Sequence, residues 1–270
     1  MKIVSINVNG LNAYYNKGSL DYLIDKLDPD VICLQEIKCG PYRLDDILSS
    51  YPQFMYEYNC NKFKPGYAGV ATLVKKDLPV DIISCESIEL ELQDGDIDED
   101  KQFNMYSSGR IQLTTFNGFR LYNIYTMNSG CGKDYYRKLW DKYLLNQLLF
   151  PDVMRYPIII AGDLNVVSGP GDYWADYNRA IDSGPGLYKF EINAFLERNH
   201  NLGLFDSYRE LHPDGTNPSW FSYGDKNHIH GWRLDYFLVS RLLKNMVSDS
   251  KVFSDITGSD HRPIQLTIKD

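Results

Sequence analysis

Short runs of β-branched and aromatic residues recur along the chain, at positions 2–6, 31–34, 69–74, 110–115, 119–125, 158–161, 234–239 and 264–268, each bounded by turn-forming residues. Such runs read as strands. Asn117-Gly118 between two of them predicts a tight hairpin. A helical period runs through residues 20–27. A second one aligns Tyr136, Trp140, Tyr143, Leu144 and Leu148 on one face, broken only by Gln147. That face is expected to be core. Strands arriving in hairpins and mixed with helices predict an α/β fold of two packed sheets flanked by helices, not a regular βαβ alternation. Residues 94–108 and 167–188, rich in Asp, Gly, Ser and Asn, read as long surface loops. No internal repeat is visible.

Composition narrows this picture. The chain has 270 residues, 43% hydrophobic and 24% charged, with no Pro/Ser-rich linker, so residues 1–270 read as a single domain. The first residues lack a basic stretch followed by an apolar one, and no apolar run approaches membrane-spanning length. A cytoplasmic protein with no membrane partner is expected. Cys33, Cys39, Cys60, Cys85 and Cys131 are odd in number and lack paired C-x-x-C spacing, so they read as reduced thiols rather than a disulfide framework or zinc cage. A formal net charge of −8 repels a polyanion in bulk. A simple nucleic-acid-binding module is disfavoured. A metal nuclease is not, because an acidic site with a bound cation reverses its local sign.

The informative chemistry is a set of polar residues placed just after apolar strands: Asn7, Glu36, and Asp163 with Asn165. Strand ends at one rim of a sheet would bring them together. Asp235, Asp260 and His261 complete a set of mostly oxygen donors with one imidazole, suited to Mg²⁺ or Mn²⁺ more than Zn²⁺. Taken singly, each acid could simply cap a helix or turn. The joint pattern points to a site.

Six segments, Ser5-Ile6-Asn7-Val8-Asn9-Gly10-Leu11, Leu34-Gln35-Glu36-Ile37-Lys38, Gly66-Tyr67-Ala68-Gly69-Val70, Gly162-Asp163-Leu164-Asn165, Gly231-Trp232-Arg233-Leu234-Asp235-Tyr236 and Gly258-Ser259-Asp260-His261-Arg262-Pro263, resemble the ordered motifs of exonuclease III type apurinic/apyrimidinic (AP) endonucleases over nearly the whole chain. The resemblance implies a deoxyribonuclease I-like, four-layer α/β/β/α sandwich of two mixed, largely antiparallel sheets. It implies a Mg²⁺-dependent repair phosphodiesterase, with Mn²⁺ able to substitute, that cuts double-stranded DNA 5′ to abasic sites or works from a 3′ end. In that family pattern Glu36 holds the main metal with Asn7 and Asp260 close by. Asp163 orients or deprotonates the attacking water, and Asn165 helps place it. A second ion near Asp163, Asn165 and His261 is left open, as is whether one ion or two act. Asp235 would fix the tautomer of His261, and Tyr125 and Asn128 would reach the phosphate. Trp220-Phe221, Trp232 and Leu234 are similar to a pocket that accepts a base-free deoxyribose. A monomer is the plainer expectation, meeting DNA in the nucleoid of a bacterium or archaeon or in a eukaryotic nucleus.

The chain also departs from the family pattern. Ile6, Asn12 and Ile37 replace residues common there. After Asn165 only Asp172 and Glu191 correspond to the usual motif, and Cys131 and Gly224 stand where some relatives present side chains that penetrate DNA. The balance of endonuclease, exonuclease and 3′-phosphatase activities is therefore open. The same metal core is similar to that of deoxyribonuclease I, inositol-polyphosphate phosphatases and sphingomyelinases, and fold alone does not choose among these. Residues 94–100 loosely match a Ca²⁺ loop, but Gly95 is misplaced and no terminal Glu follows at the required spacing.

Overall fold

The computed structural model describes residues 1–92 and 100–269, with residues 100, 101 and 148 described by backbone only. In chain order its strands are β1 (Lys2–Asn7), β2 (Val31–Gln35), β3 (Phe54–Asn59), β4 (Val70–Lys75), β5 (Ile82–Ile88), β6 (Ile111–Phe116), β7 (Phe119–Tyr125), β8 (Ile158–Asp163), β9 (Leu204–Asp206), β10 (Asp235–Ser240), β11 (Val247–Val252) and β12 (Ile264–Ile268). They form two six-stranded sheets, β11-β12-β1-β2-β4-β3 and β5-β6-β7-β8-β10-β9. Each sheet has one parallel pair at its centre, β1 with β2 and β7 with β8, and is otherwise antiparallel. Parallel neighbours require a crossover. Helices Leu11–Asn16 and Ser19–Leu27 supply the first, and the helical run from Asp134 to Val153 supplies the second. The two-sheet expectation is thereby met.

Alternation along the central strands makes the layers. Val4, Ile6, Ile32 and Leu34 face the helices of the first sheet, whereas Ile3, Val31 and Cys33 meet Leu121, Ile159, Ala161 and Phe237 of the second sheet between the layers. Toward one rim this inner face turns polar. Ser5 and Asn7 follow Ile3, Gln35 follows Cys33, Asn123 and Tyr125 follow Leu121, and Asp163 follows Ala161, each two residues further along its strand. Buried polar groups must find partners, and these find them across the sandwich. Gln35 Nε2 donates to Ser5 Oγ (3.0 Å) and to Asn123 Oδ1 (2.8 Å), and Asn123 Nδ2 donates to the Ala71 carbonyl (2.9 Å). This hydrogen-bonded layer fixes the register of the two sheets directly beneath the rim where the candidate residues emerge.

Several local expectations are refined. Phe116 pairs with Phe119 across the Asn117-Gly118 turn, with Gly118 at φ 107°. The predicted helical face holds Trp140, Tyr143 and Leu144 fully buried, while Leu148 lies outside the described side chains. Past Tyr143 the helix widens into a π-type segment, Leu144–Leu149, and Gln147 turns away to bond the Glu91 backbone, which explains the polar interruption. The loop expected at 94–108 is corrected. Residues 100–107 form a helix that buries Phe103 against Tyr143, and residues 93–99, with most of the Ca²⁺-like stretch, lie outside the described residues. The 167–188 stretch is not a free surface loop either: it buries Val167, Asp172 and Leu187 and contains a short helix, Tyr177–Ala180. Among the described residues, no helix is long and apolar enough to cross a membrane.

Candidate active site

The sheet ladders set the site. Tyr125 pairs in register with Asp163 across β7 and β8, and Asp163 pairs with Asp235 across β8 and β10, so three functional side chains stand in a row on one sheet. Gly162 makes this possible. Its φ is 142°, and a Cβ there would stand 1.9 Å from the Ile124 carbonyl oxygen, so no side chain is tolerated where β8 is pressed against β7. On the facing sheet Asn7 ends β1 beside Gln35, and Glu36 leaves β2 with a left-handed backbone, φ 51°; Asn165 does likewise at φ 49°. Non-glycine residues held in this region are strained, and such strain clusters where the fold over-determines a side chain's direction.

Asn7 joins the two sheets' carboxylates. Its Nδ2 donates to Asp163 Oδ2 (2.9 Å) and Glu36 Oε1 (3.2 Å), and its Oδ1 accepts the Asn9 amide (3.0 Å). Asp163 is also held by the Asn165 amide at 2.9 Å, and Asn165 Nδ2 is tied to the Thr126 carbonyl at 2.9 Å. Asn128 Nδ2 donates to Asn165 Oδ1 (3.3 Å). The Tyr125 hydroxyl donates to Glu36. Burial, reinforced by the Glu36 charge, pushes that phenol well above its ordinary range, so it remains a donor.

The loop carrying Asp260 and His261 is latched to β1 by Ser259, whose Oγ donates to the Asn7 carbonyl (2.7 Å). His261 Nδ1 lies 2.8 Å from Asp235 Oδ2, and its Nε2 faces Asp163 Oδ2 at 3.8 Å. Burial opposes charge on this imidazole, but Asp235 and then Asp163 outweigh it and push His261 up to about 10. Burial, partly countered by the His261 charge, lifts Asp163 to about 7. The two groups therefore share an electrostatic fate, with the imidazole cationic at neutral pH. Asp260 accepts hydrogen bonds from Trp220 Nε1 (3.1 Å) and Asn9 Nδ2 (3.0 Å).

A cleft of about 560 Å³ is lined by Glu36, Tyr125, Asn128, Asp163, Asn165, Asp260 and His261, with Trp220, Trp232 and Leu234 forming one wall. Three predicted residues are not on that surface. Asn7 and Asp235 lie beneath it and are buried, acting through Glu36, Asp163 and His261. Phe221 is elsewhere, tilted against His228 in a neighbouring cavity.

Sequence reasoning passed over Lys38, Arg110 and Lys133, which line the same cleft and give it local positive charge despite the chain's net −8. Lys38 was visible in the Glu36 segment; Arg110, whose guanidinium lies 4.4 Å from the Tyr125 ring centre, carried no sequence signal. Ser219, which accepts from the Leu234 and Asp235 amides, was equally silent.

The donor set can be tested against a hard cation. Lys38 Nζ rests 2.5 Å from Glu36 Oε2 and 2.6 Å from Asn9 Oδ1, so this carboxylate already attracts a positive charge on its cleft side. Among the described residues, no three His, Cys, Asp or Glu side chains gather closely enough to cage an ion by themselves. A hydrated divalent cation needs only one or two carboxylates, and Glu36 and Asp260 both face the cleft.

Behind the aromatic wall lies a buried ion network. Arg233 Nε and Nη2 donate to Asp172 at 2.7 and 3.0 Å, and Asp206 and Arg209 complete it. Burial would raise the Asp172 carboxyl, but Arg233 and its other partners hold it below the ordinary value. Asp172→Asn should cost about 3–5 kcal/mol of stability at neutral pH, since it strands buried guanidinium charge. A depressed folded pKa means that this contribution is complete above the unfolded pKa and fades as pH falls through the folded one. Urea unfolding of both proteins at pH 7 and at successively lower pH checks this. A loss under about 1 kcal/mol at pH 7 refutes it.

The arrangement of paired sheets with a carboxylate, amide and imidazole cleft at one rim is that of a phosphoester hydrolase, and the chain belongs to the Endonuclease/Exonuclease/phosphatase family, whose pattern it matches over residues 4–261. Within that family its kin are nucleases. It is 33% identical to an exodeoxyribonuclease of Bacillus subtilis across 99% of both chains, and 33% identical to the DNA repair nuclease APEX1 of Danio rerio across 98% of this chain and 81% of that one. Its fold superposes on an AP endonuclease from Leishmania major with a TM-score of 0.82 at 26% identity, covering 100% of this chain and 87% of that one. A 3′-5′ exonuclease from Neisseria meningitidis gives 0.80 at 22% identity over 100% of both, a likeness of fold. The protein is a hydrolytic nuclease of this exonuclease and AP endonuclease group.

Proposed function

We propose that the protein is a Mg²⁺-dependent DNA repair phosphodiesterase that hydrolyses the backbone 5′ to abasic sites in duplex DNA and also trims 3′ ends. The observation carrying this is the single cleft in which Asp163, Asn165 and His261 face Glu36 and Asp260 beside a wall of Trp220, Trp232 and Leu234. Phosphodiester hydrolysis needs an aligned water, a sink for charge on the non-bridging oxygens and relief of charge on the departing oxygen. Asp163, fixed by Asn7 and Asn165, holds and deprotonates the water. His261, kept cationic by Asp235, donates from Nε2 to a phosphate oxygen, and the amide of Asn128 does the same, joined by the phenol of Tyr125 once its proton turns from Glu36. Glu36 and Asp260 would hold Mg²⁺, which supplies positive charge at the departing oxygen. A base-free deoxyribose presents its apolar face to the two tryptophans, and a nucleotide still carrying its base is too bulky for the same wall. Turning such a residue out of the helix is easiest where stacking is already lost.

The test is a duplex carrying one tetrahydrofuran residue, incubated with Mg²⁺ or with EDTA, beside a 3′-recessed duplex. Incision 5′ to the tetrahydrofuran with Mg²⁺ and none with EDTA is expected. An intact duplex across a range of Mg²⁺ and Mn²⁺ would end the proposal, and the recessed end ranks trimming against incision.

A further inference from the structure

We propose that the protein carries a second nucleotide subsite, a base-stacking slot behind Trp232 that takes an unpaired nucleobase of the same DNA; this rests on the repair-nuclease function above. The aromatic wall of the cleft does not stop at its edge. Trp232 contacts Trp220 on the cleft side (ring centres 5.3 Å apart) and Tyr173 on the other (5.4 Å). Tyr173 leads to Trp174 (6.1 Å), and Trp174 stands edge-on to His230 (4.2 Å). Four successive contacts thus carry one line of rings from the cleft to the surface. An isolated β-bridge between Tyr173 and Trp232 makes the line rigid at its middle.

Along this line opens a cavity of about 390 Å³, lined by Tyr173 and Trp174 from one segment and by Pro218, His228 and Ile229 from another. Its size is near the lower end of ligand pockets, ~300–1,000 Å³, which suits one nucleotide and not a duplex. Trp174 is 48% exposed and Ile229 is 61% exposed, so apolar surface of this cavity is open to a ligand. Asp172 at the floor is already neutralised by Arg233 and Arg209, so it does not repel an incoming phosphate as a bare carboxylate would.

An unpaired base is the occupant this chemistry selects. Every base has a π-face, and stacking on an aromatic side chain needs no edge recognition. A base inside a duplex has both faces covered and cannot enter. Continuity with the cleft wall places the slot where a strand held at Asp163 and Trp232 would leave the site.

The experiment uses the full chain and a fluorescein-labelled oligothymidine, with binding followed by anisotropy in EDTA so that no cleavage intervenes. Trp174→Ala should weaken this binding about tenfold, the worth of one stacked base, and Trp174→Phe should restore most of it. Both variants should cut the tetrahydrofuran duplex, paired everywhere but opposite the lesion, at the wild-type rate with Mg²⁺, because the incised strand offers the slot no unpaired base. Equal oligothymidine affinity for wild type and Trp174→Ala overturns the slot even if the duplex is cut. A wild type that binds the oligothymidine through Trp174 but leaves the duplex uncut overturns the repair function instead, and the slot with it as a subsite of that reaction.

Discussion

Asp163→Asn should lower incision of the tetrahydrofuran duplex by about 10³-fold, inside the ~10²–10⁴ range for removing a positioned general base, while leaving the protein as stable as before or more so. The amide keeps the shape of the carboxylate and can still accept the Asn165 N–H at Oδ1, but its Nδ2 replaces the oxygen that accepted from Asn7, so one buried hydrogen bond is lost and is set against the relief of removing a buried charge. Stability moves the other way because burial lifts Asp163 to about 7 in the folded protein. For an acid raised above its unfolded value, the charged form is penalised by folding. That penalty is fully present above the folded pKa, shrinks between the two values and is gone below the unfolded one. Asn never carries the charge. Metal-free protein in EDTA should therefore show a higher unfolding temperature for the variant than for wild type at pH 8, with the gap closing as pH falls toward 4. Such opposition between stability and activity is what a site held in an unfavourable state produces. A variant that retains more than a tenth of wild-type incision removes Asp163 from the role of base.

The sequence made the centres of both sheets legible, and the reason is burial. β1, β2, β8 and β10 are buried at nearly every position, so their apolar runs stand out. The strands it missed are β3, β5, β9 and β11, and these are the four edges of the two sheets. Edge strands have a solvated side, and β5 and β11 alternate half-buried with exposed residues such as Glu86 and Lys251, a pattern no different from a polar loop. The helix at 100–107 was hidden by the same polar composition, because its apolar anchors are few, Phe103 in the core and Tyr106 packed against it. Site residues were legible where they end an apolar strand, as Asn7, Glu36 and Asp163 do. Supporting residues such as Arg110 and Ser219 were not, since their role comes from contacts distant in the chain and not from a local pattern.

His261→Gln should cost about 10²–10³-fold in incision, the usual loss when one preorganised donor to a developing oxyanion is removed. The argument rests on charge. Asp235 and Asp163 together keep the imidazole protonated at neutral pH, so the group facing the cleft is a cation within 3.8 Å of the carboxylate that holds the water. Glutamine offers a neutral donor and cannot replace the cation. Asp235 is buried, does not line the cleft and bonds the imidazole directly, so its main influence passes through His261. Asp235→Asn should consequently produce a smaller loss, and the double variant should be scarcely worse than His261→Gln alone, because groups that act as one unit lose their effect together. A double-mutant cycle on the tetrahydrofuran duplex at saturating Mg²⁺ measures this directly. If the two losses simply multiplied, Asp235 would have an independent function, and the chain of influence from β10 through the imidazole to the phosphate would have to be abandoned.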